Sequence, residues 1–138
     1  AHVSTELALH FIDWGKRRNI FVTAETSPHY FALTEDELIS YDANYKMYPP
    51  LRSKFDKEAI ISGLKSGSID VIATDHAPHA VFEKRCEIEI APFGVIGLET
   101  AFPVCFTYLV RTGHLSLGEV LKMLVTNPAN ILRIKENK

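Results

Sequence analysis

Three polar residues at the end of one short apolar run are the strongest candidates for chemistry in this sequence. The run of residues 69–73 is rich in β-branched side chains and follows Gly67, so it is predicted to be a buried strand. Asp75, His76 and His79 come directly after it. In α/β proteins with parallel strands, ligands bind and catalysis occurs at the carboxyl ends of the strands. A carboxylate and two imidazoles at such an end predict a metal-binding or proton-transfer site.

Two further groups of polar residues are expected at the same edge of the sheet. His2 lies near the start of the chain, and the stretch from Glu25 to His29 follows residues 19–25, which are predicted to be a second strand. An imidazole from one strand end and a carboxylate from another commonly hold a catalytic zinc ion, which lowers the pKa of a bound water towards about 7. Asp75 could then act both as a ligand and as a general base.

Each of these residues also has a purely structural interpretation. His2 can be merely exposed, and Asp75 can cap a helix or turn before Pro78. His29 is expected to orient the backbone through hydrogen bonds. Arg52 is equally compatible with an ion pair that ties down its loop and with a contact to a substrate anion. The residue types alone therefore leave both interpretations open.

Predicted strands and helices alternate along the chain. This order implies right-handed βαβ units and a parallel sheet. Two full strands and one strand end are too few for a sheet of normal width, so we expect that an amino-terminal part is missing. The predicted helices cover residues 6–18, a short stretch capped by Thr34, residues 54–65, residues 98–111 with a break near Pro103, residues 116–125, and a last short helix capped by Asn127.

The overall composition argues against several classes of partner. The 138 residues are 46% hydrophobic and 23% charged, with a net charge of −2, which is typical of a globular protein and gives no electrostatic reason to expect nucleic acid or an anionic membrane. No apolar run reaches the length of about 18 residues that a membrane span needs, and no secretory leader is recognisable. Cys86 and Cys105 have no metal-like spacing, so we expect a reducing, cytoplasmic location.

Seven short motifs are spread over essentially the whole chain: His2-Val-Ser-Thr, Glu25-Thr-Ser-Pro-His-Tyr, Pro49-Pro-Leu-Arg52, Thr74-Asp-His-Ala-Pro-His79, Pro92-Phe-Gly94, Gly97-Leu-Glu-Thr100 and Thr126-Asn-Pro-Ala129. In order and approximate spacing they resemble the carboxyl-terminal part of the catalytic barrel of bacterial type I dihydroorotases, which are cyclic amidohydrolases of the metal-dependent hydrolase superfamily. The resemblance implies an α/β fold, namely a portion of a (β/α)₈ TIM-type barrel. Residues 1–138 would supply the end of strand six, strands seven and eight, and their helices.

The resemblance also assigns roles to individual residues. It implies that His2 is a zinc ligand, and that Asp75 is a ligand of the other metal and the general base. His79 would hold the substrate carboxylate, helped by backbone amides near Phe93 and Gly94. A complete site would contain two Zn²⁺ ions, but of the expected ligands this chain has only two, so we expect it to be inactive alone. The implied reaction is the reversible hydrolysis of the cyclic amide of dihydroorotate to carbamoyl aspartate in pyrimidine biosynthesis.

Tyr48 departs from the family pattern, in which an asparagine at this position contacts the pyrimidine ring. A tyrosine cannot offer the same amide donor and acceptor pair. A hydantoinase-like or allantoinase-like activity is therefore one alternative, although His79 favours dihydroorotate. A non-catalytic dihydroorotase-like module that scaffolds another pyrimidine enzyme is a second alternative. As partners, the resemblance implies a small-molecule substrate, a homo-oligomer and another enzyme of the pyrimidine pathway.

Overall fold

The structure is a computed structural model that describes residues 1–134. Helices pack around a short parallel strand pair, as the predicted alternation requires. The α-helices are α1 (Glu6–Arg17), α2 (Pro28–Ala32), α3 (Lys54–Ser66), α4 (Val81–Lys84), α5 (Ala101–Cys105), α6 (Leu117–Leu121) and α7 (Asn127–Ile131). The strands are β1 (Glu25–Thr26) and β2 (Val71–Ile72). Two 3₁₀ helices cover Glu35–Ser40 and Ala43–Tyr45, and π-helical turns cover Phe106–Val110 and Lys122–Thr126.

The two strands form the centre of a short parallel arc. β1 pairs with β2 in parallel, with Glu25 opposite Val71. The backbone amide of Val3 also donates to the carbonyl oxygen of Glu25, at 2.9 Å. Just after β2, a parallel bridge joins His76 to Val95. Segments that are far apart in the sequence thus lie side by side with the same direction, which confirms the predicted parallel sheet.

The hydrophobic core lies between this arc and the inner faces of the helices. α1 and α3 pack so closely that a methyl group on Gly63 would lie 2.9 Å from Cδ2 of Leu9. Such close packing makes a rigid base for the strand ends. The most deeply buried members of the core are Phe31, Ile60, Leu64, Ile69, Leu109 and Val120.

The strand predicted over residues 19–25 is wrong in its extent, because β1 comprises only Glu25–Thr26. The side chain of Phe21 is 96% exposed, so the apolar run does not reach the core. A backbone forms a strand only where a neighbour supplies donors and acceptors. The first such contact to the β2 segment is made by the Ala24 carbonyl oxygen, which accepts from the amide of Asp70 at 2.9 Å.

The predicted helices at α1 and α3 are confirmed, and the structure explains their ends. The Thr5 hydroxyl accepts a hydrogen bond from the amide of Ala8 at 3.3 Å and so caps α1. Ser53 caps α3 through the amide of Asp56. Gly67 ends α3 in the left-handed conformation, with φ of 80°, which glycine adopts without steric cost.

Three predictions about the helices are wrong. Pro103 does not break its helix, because it lies in the first turn of α5, where a missing N–H group forfeits no helical hydrogen bond. Asn127 is not a cap but lies inside a continuous helical run, and its side chain donates to the Asp70 carbonyl oxygen at 2.6 Å. The short helix predicted after Thr34 is present as a 3₁₀ helix, but the predicted cap is wrong, because the Thr34 hydroxyl donates to the carboxylate of Asp36 and makes no capping hydrogen bond.

None of the helices of residues 1–134 combines the length and the apolar character that crossing a bilayer demands.

Candidate metal-binding and catalytic site

Side chains from three chain segments meet at the carboxyl ends of the strands. Nε2 of His2 lies 3.7 Å from Oδ1 of Asp75, and Nε2 of His29 lies 3.8 Å from Oδ2 of the same carboxylate. Both distances exceed that of a hydrogen bond, so the three groups face one another across a small gap. The sequence-predicted pair of His2 and Asp75 is thus brought together, and His29 joins it.

Glu25 fixes the position of His2. Its Oε1 atom accepts a hydrogen bond from the backbone amide of His2 and lies 2.9 Å from Nδ1 of the His2 ring. The distance between Nδ1 and Oε1 is that of an ion pair. The two atoms are not aligned as in a hydrogen bond, and Nδ1 has no hydrogen-bond partner among residues 1–134. A carboxylate behind an imidazole sets the orientation of the ring and favours Nε2 as the free ligand atom. Glu25 therefore supports His2 from behind.

Within residues 1–134, His29 does not play the predicted role of orienting the backbone through hydrogen bonds. Its side chain is only 7% exposed, and Nε2 has no hydrogen-bond partner within the described part of the chain. The pKa of His29 is lowered to about 4, mainly by burial; the Asp75 charge opposes this shift and the neighbouring His2 adds to it. The imidazole is therefore uncharged at neutral pH. The prediction was wrong because the ring turns towards the strand ends instead of towards its own loop.

The backbone at the two predicted ligands is unusual. His2 and Asp75 are non-glycine residues with positive φ, 53° and 48° respectively, a conformation that costs free energy and clusters at functional sites. The neighbouring His76 holds the backbone at Asp75 in place. Nδ1 of His76 accepts hydrogen bonds from the amides of Gly97 and Leu98, at 3.1 and 3.0 Å. His76, one of the three polar residues expected to do chemistry, thus acts as an anchor for the backbone.

Gly97 completes this anchor by its close approach to the strand end. A Cβ atom at this position would lie 2.4 Å from the carbonyl oxygen of Thr74. Only glycine permits that distance, and the approach places the Gly97 amide on His76. The chain around Asp75 is thereby fixed by contacts that leave its carboxylate without a hydrogen bond to any of residues 1–134.

The donor atoms fit part of a metal site. An imidazole nitrogen and a carboxylate oxygen are ligands that zinc accepts, and Nε2 of the buried His29 is an unsatisfied third donor nearby. Within residues 1–134, however, no group of three or more His, Cys, Asp or Glu side chains has the geometry to hold a metal ion. His2 and Asp75 thus fit two positions of a site that needs further ligands.

The four predicted substrate-binding residues also lie together. Nε2 of His79 lies 2.9 Å from the carbonyl oxygen of Phe93, and the rings of Tyr48 and Phe93 meet edge to face with centroids 5.7 Å apart. Gly94 has φ of 134° and approaches Ala77 so closely that a Cβ atom would lie 2.4 Å from its carbonyl oxygen. A cavity of about 540 Å³ opens beside His79 and Gly94. The space is ample for a small cyclic amide.

Two residues near this region tie loops together. Nε of Arg52 donates to the hydroxyl of Ser4 at 3.4 Å. Among residues 1–134 Arg52 forms no ion pair, and the alternative contact to a substrate anion stays a prediction. The hydroxyl of Tyr30 donates to the carbonyl oxygen of Pro49 at 2.7 Å. Burial, and then the nearby Asp75 charge, raises the pKa of Tyr30, which therefore stays protonated and keeps donating.

Comparison with known proteins places this geometry in context. The chain is 52% identical over 136 residues to the dihydroorotase of Ruminiclostridium cellulolyticum, and the alignment covers 99% of this chain and 32% of that protein. The chain thus spans about a third of the length of the relatives that it matches. It matches no protein-family profile.

Solved structures show the same arrangement of elements. The L-hydantoinase (dihydropyrimidinase) of Arthrobacter aurescens superposes with a TM-score of 0.91 at 29% identity, over 99% of this chain and 31% of that one. The dihydroorotase of Saccharomyces cerevisiae in complex with 5-fluoroorotic acid gives a TM-score of 0.83 at 22% identity, over 98% of this chain and 38% of that one, and so supports the fold alone. The chain is therefore similar in sequence to about a third of a dihydroorotase, and it has the fold of part of an amidohydrolase (β/α)₈ barrel.

Proposed function

We propose that this chain is the part of a dihydroorotase that supplies the last strand ends of its catalytic barrel. The observation that carries the proposal is the meeting of His2, His29 and Asp75 at the carboxyl ends of parallel strands, in a chain 52% identical to a dihydroorotase. The reaction is the hydrolysis of the cyclic amide of dihydroorotate, and its reversal.

Two residues of this chain would contribute to a zinc site. Nε2 of His2 and the carboxylate of Asp75 would be ligands, while Glu25 orients the His2 ring. Bound zinc would polarise the amide carbonyl and lower the pKa of a water molecule. The remaining ligands would come from the two thirds of the relatives' length that this chain does not cover.

Asp75 performs the proton transfers in the proposed reaction. As general base it accepts a proton from the attacking water, whose oxygen bonds to the amide carbon. It then returns that proton to the ring nitrogen as the C–N bond breaks, which gives the amide nitrogen of carbamoyl aspartate. The buried, uncharged His29 lies 3.8 Å from Oδ2 of Asp75.

Four residues would hold the substrate. His79 and Gly94 line the cavity where a carboxylate can bind, together with Lys84 and Arg85. His79 also contacts the carbonyl oxygen of Phe93. Tyr48 packs on Phe93 and would cover the ring of the substrate. An aromatic side chain there offers contact area in place of an amide's hydrogen bonds.

Exposed apolar side chains support the proposal that a longer barrel contains this chain. Leu7 and Phe11 on α1 are exposed, as are Phe21 and, near the end of the described residues, Leu132 and Ile134. Apolar surface of this kind is ordinarily covered by another part of the protein. In a closed barrel, neighbouring helices would bury it.

The test measures zinc content and dihydroorotate hydrolysis in the full-length protein that contains this chain. Replacing His2 by alanine should remove about one zinc ion per chain and abolish hydrolysis, because a ligand is lost. His10→Ala is the matched control, since that imidazole is exposed on α1. A wild-type protein that neither binds zinc nor hydrolyses dihydroorotate would contradict the proposal and favour the scaffold function.

Tyr48 and the hydantoinase superposition favour a second candidate function, the hydrolysis of cyclic amides without a carboxylate. The same protein should therefore be assayed with hydantoin and dihydrouracil. Turnover of these substrates in preference to dihydroorotate would support the second candidate. The homo-oligomer, the pyrimidine-pathway partner and the cytoplasmic location stay predictions.

A further inference from the structure

Lys84 makes a compact set of contacts to backbone carbonyl groups beside the cavity of His79 and Gly94. It is the last residue of α4, and its Nζ lies 3.0 Å from the carbonyl oxygen of Ala43, 3.3 Å from that of Lys46 and 2.8 Å from that of Pro92. An ammonium group has three N–H donors. All three are therefore directed at backbone carbonyl groups.

These carbonyl groups belong to two segments that are distant in sequence. We call them the Tyr48 loop (residues 41–52) and the Phe93 loop (residues 85–97). Two direct contacts also join the loops, because the amide of Gly94 donates to the carbonyl oxygen of Lys46 at 3.0 Å and Nζ of Lys46 donates to that of Glu89 at 2.9 Å. Lys84 thus lies at a junction of two loops.

The same junction carries the side chains that the proposed function assigns to the substrate. Tyr48 follows the carbonyls of one loop, and Phe93 directly follows the Pro92 carbonyl of the other. Their rings are in contact, and Nζ of Lys46 lies over the Phe93 ring, 4.4 Å from its centroid. His79 reaches the carbonyl oxygen of Phe93 from a third direction. Displacing either loop would move these groups relative to one another.

The surroundings of Lys84 disfavour the charged form of its ammonium group. Burial lowers the pKa of Lys84, and the nearby charge of Lys46 lowers it further, while Asp42 opposes the shift. A partly buried ammonium group loses some of its hydration, and hydrogen bonds to the protein must compensate for that loss. Three carbonyl dipoles directed at one ammonium provide that compensation.

We infer that Lys84 is a positioning residue, which fixes the Tyr48 loop against the Phe93 loop and so sets the recognition of a substrate carboxylate. This inference rests on the proposed function for the identity of the substrate, but not for the loop junction itself. Lys84 also lines the cavity beside His79 and Gly94, but its three donors are directed at backbone carbonyl groups, so it acts through the two loops.

The test uses the full-length protein with Lys84→Met, which keeps the length of the side chain but removes its donors. We expect the KM for dihydroorotate to rise about tenfold with kcat changed by less than about threefold, because the displaced loops bind the substrate without performing the proton transfer. Lys84→Arg, which retains donors, should restore most of the affinity. Lys65→Met, at the exposed end of α3, is the charge-matched control.

Hydrogen exchange followed by mass spectrometry gives a readout that does not depend on the substrate. In Lys84→Met, peptides of the Tyr48 and Phe93 loops should exchange at least about tenfold faster, while peptides of α1 and α3 stay unchanged. Unchanged exchange in both loops, or faster exchange throughout the protein, would overturn the inference. Lys84→Gln is measured in parallel, so that the question is decided even when the methionine variant does not fold.

The two readouts separate the inference from the proposed function. A wild-type protein without dihydroorotate hydrolysis contradicts the proposed function, and the exchange data then still decide the role of Lys84. A wild-type protein that hydrolyses dihydroorotate, with a methionine variant whose KM and exchange are both unchanged, contradicts the role of Lys84 alone.

Discussion

The amino and carboxyl ends of the β1–β2 pair are built in opposite ways. At the amino ends, Nζ of Lys16 donates to both carboxylate oxygens of Asp70, at 2.9 and 2.8 Å, and to two backbone carbonyls. The same carboxylate accepts from the amide of Ala24 at 2.8 Å. At the carboxyl ends, Nε2 of His29 and Oε2 of Glu25 are buried without hydrogen-bond partners among the described residues.

This difference separates stability from function within a single sheet. Paired polar groups at one end hold the strands and helices together, because each buried donor finds an acceptor. Unpaired groups and positive φ angles at the other end cost stability, and such costs are typical of sites that await a ligand. Substitutions at the two ends should therefore affect different measurements.

The largest effect is expected from Asp75→Asn in the full-length protein. Asparagine tolerates the left-handed backbone of this position but cannot accept the proton, so kcat should fall about 10³-fold while the melting temperature changes little. Steady-state hydrolysis and thermal unfolding measure the two quantities. Asp36→Asn, on the exposed 3₁₀ helix, should change neither. If Asp75→Asn still hydrolysed dihydroorotate at the wild-type rate, Asp75 would not be the general base.

The second effect is a pH dependence caused by His29. Burial holds its folded-state pKa at about 4, below the ordinary 6.5, so the unfolded chain binds the proton first as the pH falls. The stabilising contribution is complete above pH 6.5 and is lost between 6.5 and 4, by about 3 kcal/mol. His29→Gln should remove this dependence.

Urea unfolding of chelator-treated protein at pH 7 and pH 4 measures the His29 effect. Other groups titrate alike in both proteins, so the difference between wild type and variant isolates the histidine. His10→Gln is the exposed control. An equal loss of stability in wild type and His29→Gln between the two pH values would show that His29 is not held uncharged by folding.

The third prediction concerns the opposite end of the strands. Lys16→Met should lower the free energy of unfolding by about 2 kcal/mol, because it leaves the Asp70 carboxylate, whose side chain is 27% exposed, without its cation. The kinetic constants should stay within about twofold of wild type, since the pair is remote from the site. Lys54→Met, at the start of α3, is the control. If Lys16→Met lost activity but kept the stability of the wild type, stability and function would not be separated between the two ends of the strands.

The smallest effect is expected from Ser116→Ala, outside both ends of the strand pair. The Ser116 hydroxyl accepts from the amide of Glu119 at 3.3 Å, and the Glu119 carboxylate accepts from the amide of Ser116 at 2.7 Å. Losing this cap should cost about 1 kcal/mol, and Ser116→Thr should retain most of it. Denaturant unfolding measures both variants. If Ser116→Ala lowered the free energy of unfolding as much as Lys16→Met, the contacts of Lys16 and Asp70 would contribute no more to stability than a helix cap.

The meeting of His2 and Asp75 is predictable from the sequence because it depends only on the direction of the strands. Any residues directly after parallel strands share one edge of the sheet. The roles of Glu25 and His29 could not be reached in this way. Whether a side chain at a strand end faces the site or its own loop depends on backbone angles, such as the positive φ of His2, that residue types do not specify. Their only signal was a polar cluster at a strand end.

The apolar run of residues 19–25 shows a second limit. Its composition is that of a strand, yet Phe21 and Ile20 are exposed and only Glu25 belongs to β1. β-Propensity describes a side chain that fits a half-buried surface, and it cannot supply the neighbouring strand. The bounds of α1 and α3 were predicted well because their caps and hydrogen bonds are local.

The parallel pairing of residue 25 with residue 71 also has a consequence for the order of folding. Helices α1 and α3 gain their hydrogen bonds locally, whereas the strand pair forms only after a long stretch of chain has closed on itself. We therefore expect helical circular dichroism to recover in refolding before the β1–β2 contact does. His2, His29 and Asp75 meet only through that contact, so the candidate site is among the last features of the fold to form.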